Sequence, residues 1–204
     1  MKNKLIPFLL ILMTFLSCYN LIGQVDKSTS SEIQWMTWNE VEEAQKKEKK
    51  KVFVDVYTDW CGYCKKMDKT TFKDKNLISY INENFYAVKF DAEEKETITL
   101  DGKKYKYVKS GKRGYNQLAA DLLKGKMSYP TIVFLNSDLS LIQPIPGFLD
   151  VNKMEMISTY FAEDQHKKTP WTRYEKSYIP MNKRAKLTPV KGPVNKMALP
   201  GKNK

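Results

Sequence analysis

Apolar positions along this chain fall into two rhythms, one of period two and one of about 3.6, and the switches between them mark out its elements. Val52-Phe-Val-Asp-Val-Tyr57 is β-branched and aromatic between Lys-rich flanks, and reads as a buried strand interrupted by a single carboxylate, Asp55. Phe85-Tyr-Ala-Val-Lys-Phe90 and Pro130-Thr-Ile-Val-Phe-Leu135 read the same way, and Leu139–Ile142 forms a neighbour to the latter beyond an Asn136-Ser-Asp138 turn. Asn39 and Glu42 have the spacing of a capping box and predict a helix over roughly residues 40–49. Cys61 to about Lys69 lacks Pro and reads as helical. Asp74 to Asn82 places Leu77, Ile78 and Ile81 on one face of another helix. Tyr115, Leu118, Ala119 and Leu122 fall at helical spacing, with Gly125 placed to end that helix. Asp150 can cap a final helix carrying Val151, Met154, Ile157 and Phe161 as one stripe. Between these, Thr97–Val108 alternates on both sides of Asp101-Gly102, a strong hairpin signal, and reads as a surface insertion. The order is α β α α β (hairpin) α β β α.

The two ends depart from this pattern. Lys2 and Lys4 precede the apolar run Leu5–Leu16, which is short for crossing a bilayer but suits the core of a secretory signal. Residues 1–24 are therefore expected to be a signal peptide; an uncleaved N-terminal anchor is the alternative. Phe15-Leu-Ser-Cys18 resembles a lipobox, so the signal can instead end before Cys18, whose acylation would attach the protein to a membrane. Either route predicts a periplasmic or otherwise extracytoplasmic location, where disulfides persist. Residues 25–166 are expected to form the domain. Past residue 166 periodicity fails and five of the nine prolines stand among lysines, so 167–204 reads as a basic tail, with Trp171, Tyr174 and Tyr178 able to dock its first part.

Composition suits one domain with extensions: 204 residues, 42% hydrophobic. The net charge of +12 changes the picture only once it is placed along the chain. Residues 25–164 hold 22 basic and 22 acidic residues, whereas 165–204 hold 11 basic and one acidic. A neutral body with a cationic end is not the pattern of a nucleic-acid-binding domain. A structural zinc site needs about four ligands. Apart from Cys18 the chain offers two cysteines and one distant histidine, so no metal is expected. His166 itself is expected to be solvated at a helix C-terminus, and the Lys46–Lys51 run to be a wet helix face.

The chemistry is concentrated in Cys61-Gly62-Tyr63-Cys64, at a strand-to-helix junction. The first sulfur sits where unpaired helix N–H groups favour thiolate, and the spacing lets both sulfurs meet across one turn. Cys61 can then attack a foreign disulfide and Cys64 resolve the mixed disulfide.

The segment Val52–Met67 with Trp60 and the CGYC motif, Val88-Lys-Phe-Asp91, Tyr129-Pro130 before a strand, and Pro146-Gly-Phe148 together resemble the thioredoxin superfamily over about residues 35–163. They look closest to exported bacterial thioredoxin-like thiol:disulfide oxidoreductases. The resemblance implies a thioredoxin fold of class α/β: a central mixed sheet flanked by helices, here with an inserted hairpin and an extended C-terminal tail. It also implies roles. Cys61 would be the attacking thiolate, Cys64 the resolving thiol, and Asp55 a buried carboxylate shuttling the Cys64 proton with Lys89 tuning it. Trp60, Tyr63, Tyr129 and a cis Pro130 would meet the substrate. Asp55 pointing outward and a trans proline are the plain alternatives. Tyr63 stands where reducing thioredoxins carry Pro, which leaves the direction of electron flow open.

The expected function is disulfide reduction or exchange in other exported proteins, with the Cys61–Cys64 disulfide as the redox centre and no separate cofactor. A membrane electron donor would recharge it, and no nucleic acid partner is expected. The alternatives are a thioredoxin-fold binding module displaying its basic tail, and a disulfide isomerase or oxidase.

Overall fold

The structure is a computed structural model that describes residues 30–187. The expected signal peptide, Cys18 and the chain from residue 188 onward lie outside the described residues.

Five strands build the central sheet: β1 (Trp35–Met36), β2 (Lys51–Tyr57), β3 (Phe85–Asp91), β8 (Thr131–Leu135) and β9 (Leu141–Pro146), in the order β1-β3-β2-β8-β9. Strand β2 runs parallel to β3 and antiparallel to β8, so the sheet is mixed, as expected. Its alternating side chains divide the core in two. Phe53 faces a layer with Met67, Ile78, Phe134 and Phe161. Val52, Val54 and Val56 face the other, with Val41, Leu118 and Val133. Asp55 falls on the Phe53 face by this alternation, and the register sets it opposite Lys89 of β3.

The helices are α1 (Trp38–Lys47), α2 (Gly62–Lys69), α3 (Lys75–Asn84), α4 (Gln117–Leu122), α5 (Val151–Ala162), α6 (Trp171–Ser177) and α7 (Met181–Leu187). A 3-10 turn, Thr71–Lys73, joins α2 to α3. Asp74 caps α3 through the Leu77 N–H, and Asp150 caps α5 through the Lys153 N–H. Among the described residues no helix is long and apolar enough to cross a membrane.

Four local expectations need correction. The capping box of α1 is Thr37 with Glu40, two residues before the expected Asn39 and Glu42. The earlier register wins because it turns Trp38, Val41 and Gln45 inward. Second, the insertion is two hairpins, β4 (Ile98–Leu100) with β5 (Lys103–Tyr105) and β6 (Tyr107–Ser110) with β7 (Arg113–Asn116). Tyr107 and Val108 belong to the second, and Tyr115 lies in β7 rather than in α4. Third, His166 is half-buried beside Tyr160 and Phe161, with ring centroids 6.1 and 5.2 Å away, and burial depresses its pKa. Fourth, residues 171–187 are helical rather than extended. Trp171, Tyr174 and Tyr178 pack on the core, and buried Glu155 accepts hydrogen bonds from the Tyr178 hydroxyl (2.5 Å) and the Met181 N–H (2.9 Å).

Candidate active site

Strand β2 ends at Tyr57, and a short turn delivers Cys61 to the N-cap of α2. There the Cys61 sulfur accepts the Cys64 N–H at 3.0 Å, taking up one of the helix's unpaired donors. Cys61 and Cys64 are joined as a disulfide, their Cα atoms 5.3 Å apart. Both sulfur-bearing residues are buried, Cys61 at 5% exposure and Cys64 at 2%, so the first is the more accessible. This is the arrangement in which the helix N-terminus stabilises a thiolate at Cys61 once the bond is reduced.

The residues on either side of Cys61 do the opposite of its sulfur. Trp60 and Tyr63 are exposed at 50% and 63%, two of only three large hydrophobic side chains so placed among the described residues. Each is held by neighbours. The Trp60 indole N–H donates to Glu93 at 2.9 Å, its ring meets Tyr129 edge-on at 5.9 Å, and the Arg113 guanidinium stacks 4.3 Å from its centroid. Tyr63 leans on Phe148 at 6.0 Å, and Lys66 covers the Phe148 ring at 4.8 Å. The Tyr129-Pro130 bond is cis, and the Pro130 carbonyl accepts the Gly147 N–H at 2.8 Å. Gly147 sits at φ 101°, a conformation open to glycine, so the chain can turn away from β9 at this point.

Beneath α2 lies a charged cluster. Asp55 is 1% exposed, and its Oδ2 accepts from Lys89 Nζ at 2.9 Å while its buried Oδ1 has no donor. Burial pushes the carboxyl up from 3.8 to about 6, against the pull of Lys89. The same ammonium donates to Asp68 of α2, tying Asp55 to the cysteine-bearing helix. Three rings, Tyr57, Trp35 and Phe72, lie 4.9–5.6 Å from Lys89 Nζ. Burial works against the lysine's charge, but the two carboxylates outweigh it and hold its pKa above the ordinary value.

Of the residues picked out from sequence, Asp55 meets Lys89 and Trp60 meets Tyr129, while Cys61 and Cys64 are bonded to one another. Tyr63 instead pairs with Phe148. Sequence reasoning passed over Asp68, Glu93 and Arg113. Asp68 carried a signal: it stands four residues after Cys64 and so on the same helical face. Glu93 and Arg113 reach Trp60 from β3's end and from the second hairpin, and no local pattern points to them. Among the described residues no group of three or more His, Cys, Asp or Glu side chains could hold a metal ion.

Residues 38–162, more than half of the chain, match the family model of a thioredoxin-like domain. An uncharacterized protein of Caenorhabditis elegans is 29% identical over 175 residues, covering 82% of this chain and 20% of that protein. Spermatogenesis-associated protein 20 of Rattus norvegicus is 31% identical over 67 residues, covering 32% of this chain and 8% of that one. The chain thus spans about a fifth or less of the curated relatives it matches. A solved thioredoxin-fold protein from Helicobacter pylori superposes with a TM-score of 0.50 at 19% identity, covering 69% of this chain and 87% of that one.

Proposed function

The chain belongs to the thioredoxin-like family, and from that premise we propose that it is an extracytoplasmic thiol:disulfide oxidoreductase that reduces or exchanges disulfides in exported proteins. The observation that carries this reading is the bonded Cys61–Cys64 pair at the N-terminus of α2, with a buried carboxylate on the sheet face beneath it.

In the reducing direction, the Cys61 thiolate attacks one sulfur of a substrate disulfide, forming a mixed disulfide and releasing the other sulfur as a thiolate. Cys64 then gives its proton to Asp55, and its sulfur attacks Cys61. The Cys61–Cys64 bond closes, the second substrate sulfur leaves, and the two substrate thiolates take up one proton from Asp55 and one from solvent. Two electrons pass from the protein's sulfurs to the substrate's. A carboxyl with a pKa of about 6 suits this exchange, because it can both accept and return a proton near neutral pH. Lys89 steadies its ionised form. Trp60 and Tyr63 supply the apolar rim that receives the substrate, and Tyr129, set by the cis bond to Pro130, offers its backbone to an extended segment.

A membrane electron donor restores the dithiol after each turnover; where the signal ends before Cys18 rather than near residue 24, acylation of Cys18 holds the protein near that donor. The sulfur pair is the sole redox group this scheme needs.

Turbidity from the reduction of insulin disulfides by dithiothreitol tests the proposal. The protein is expected to accelerate it, and the Cys61→Ser variant to reduce the acceleration to background. Equal rates for the two would refute the enzymatic reading and favour a binding module.

A further inference from the structure

Two cations border the rim of the disulfide, and nothing in the fold claims either. Arg113 opens β7 in the second inserted hairpin, and its guanidinium lies 4.3 Å from the Trp60 ring centroid. Lys66 of α2 places its ammonium 4.8 Å from the centre of the Phe148 ring, against which Tyr63 leans. Each of the two exposed aromatics flanking Cys61 therefore has a cation at its side. Arg184 pairs with Glu163 at 3.0 Å, but the side chains of Arg113 and Lys66 have no ion pair or hydrogen bond among the described residues.

The hairpin holds Arg113 in place. Asn116 at its root is fully buried; its backbone N–H donates to the Ala92 carbonyl at 2.7 Å, and its side-chain amide donates to the Glu94 and Glu96 carbonyls at 3.2 Å. A Cβ at Gly114 would stand 2.3 Å from the Tyr107 hydroxyl and 2.4 Å from the Val108 carbonyl oxygen, so the two strands close only around glycine. The planar guanidinium rests on the indole and keeps its N–H edge free for two parallel bonds to a carboxylate. The carboxylates nearby are mostly engaged. Glu93 accepts the Trp60 N–H, Asp91 accepts the Glu93 N–H at 2.9 Å, and Asp68 is held by Lys89. Asp59, beside Trp60, is exposed and has no partner among the described residues. Lys65 and Lys69 of α2 and Lys109 and Lys112 of the hairpin, all exposed and likewise unpaired, outnumber it.

We propose that Arg113 and Lys66 are specificity-determining residues that bind carboxylates on either side of the substrate's cystine, so that the protein selects disulfides set in acidic polypeptide segments. A substrate that lays its apolar contacts on Trp60 and Tyr63 brings its flanking side chains to both cations. The inference rests on disulfide exchange at Cys61 and names the substrate class of that same site.

Two synthetic peptides test it, each with one intramolecular cystine, flanked on both sides by two Asp in the first and by two Asn in the second. The pre-reduced protein is mixed with each in a single turnover, and acid-quenched samples are separated by chromatography. The Asp peptide is expected to be reduced about tenfold faster than the Asn peptide. Arg113→Gln and Lys66→Gln should each cut that ratio about threefold, since an exposed ion pair is worth up to about fivefold, and the double variant should bring it near one. Lys49→Gln, with the same change in charge as either single variant but beyond the far end of β2, should keep the full ratio. Salt that shortens the screening length to about 3 Å should shrink it. If Arg113 only props Trp60, or Lys66 only favours the Cys61 thiolate, both peptides slow alike and the ratio stays. A ratio near one for the unmodified chain, or an unchanged ratio in the double variant, would overturn the proposal. The same preference is read without turnover as the affinity of the oxidised chain for labelled peptides with Ser at both cysteine positions. Preferential binding without reduction of either peptide or of insulin would refute disulfide exchange and leave the acidic-segment surface standing; reduction without preference would refute the selection alone.

Discussion

Replacing Asp55 with Asn keeps the shape of the side chain and removes its ability to ionise, which isolates the energetic cost of a buried carboxylate. In the folded chain burial raises its pKa from 3.8 to about 6. The folded state thus holds the Asp55 proton more tightly than the unfolded state does. Its contribution to stability is fully present below pH 3.8 and is lost as pH rises through 6. At pH 8 the whole interval counts, and at 1.36 kcal/mol per pH unit it amounts to about 3 kcal/mol. At pH 4.5 the same linkage leaves about 1 kcal/mol. The Asn variant escapes this cost, and Lys89 retains Asp68 as a charged partner. Urea denaturation of the oxidised protein should find Asp55→Asn more stable than the parent by about 2–3 kcal/mol at pH 8. The gap should narrow to about 1 kcal/mol or less at pH 4.5. In thermal unfolding the alkaline difference corresponds to a rise of about 5–10 °C for a chain of this size. The same substitution should slow the resolution of a mixed disulfide by about a hundredfold near neutral pH, through loss of the proton acceptor. A variant no more stable than the parent at pH 8, or a gap that stays the same at both pH values, would contradict a costly buried charge at Asp55. It would mean that Asp55 is neither desolvated nor strained by its charge.

Trp60→Ala removes the exposed ring that Tyr129, Arg113 and Glu93 hold beside the sulfurs. Insulin reduction should lose about five- to thirtyfold in kcat/KM, mostly through KM, with thermal stability little changed. Tyr178→Phe leaves buried Glu155 without its 2.5 Å donor and should cost about 1–3 kcal/mol in urea unfolding, with earlier proteolytic cleavage around α6 and α7. Thr37→Ala should cost about 1 kcal/mol by removing the α1 cap, whereas Asn39→Ala, already inside the helix, should change stability far less; the pair is read by thermal melts.

The central strands were legible in sequence because they are buried on both faces and therefore written as unbroken apolar runs. Asp55 was legible for the same reason, since a lone carboxylate in such a run has to be buried or the strand has to slip. Places where two local readings are equally good were not. Thr37-x-x-Glu40 and Asn39-x-x-Glu42 both have capping-box spacing, and only packing of Trp38 and Val41 on the sheet chooses between them. Pro170 and Pro180 count, among the lysines, toward a basic tail, yet each stands immediately before a helix, where a missing N–H costs nothing. The second hairpin turns at Gly111 among lysines, so no apolar alternation announces it. At the site, the cysteine pair, Asp55, Lys89 and the Tyr129-Pro130 bond all lie in contiguous motifs. Arg113 and Glu93 touch Trp60 only through the path of the fold, and a contact between a hairpin tip and a distant indole leaves no periodic trace.

Disulfide exchange at this site requires that Cys61 form a covalent bond with a foreign disulfide and that Cys64 release it. The most direct measurement is the trapping of that intermediate. In a Cys18→Ser background, Cys64→Ala leaves Cys61 as the single thiol; mixed with a disulfide-containing protein and resolved by non-reducing electrophoresis, it should form a covalent adduct that dithiothreitol reverses. The Cys61→Ala counterpart should form little or none. Absence of adduct with Cys64→Ala, or equal adduct with both variants, would contradict the claim.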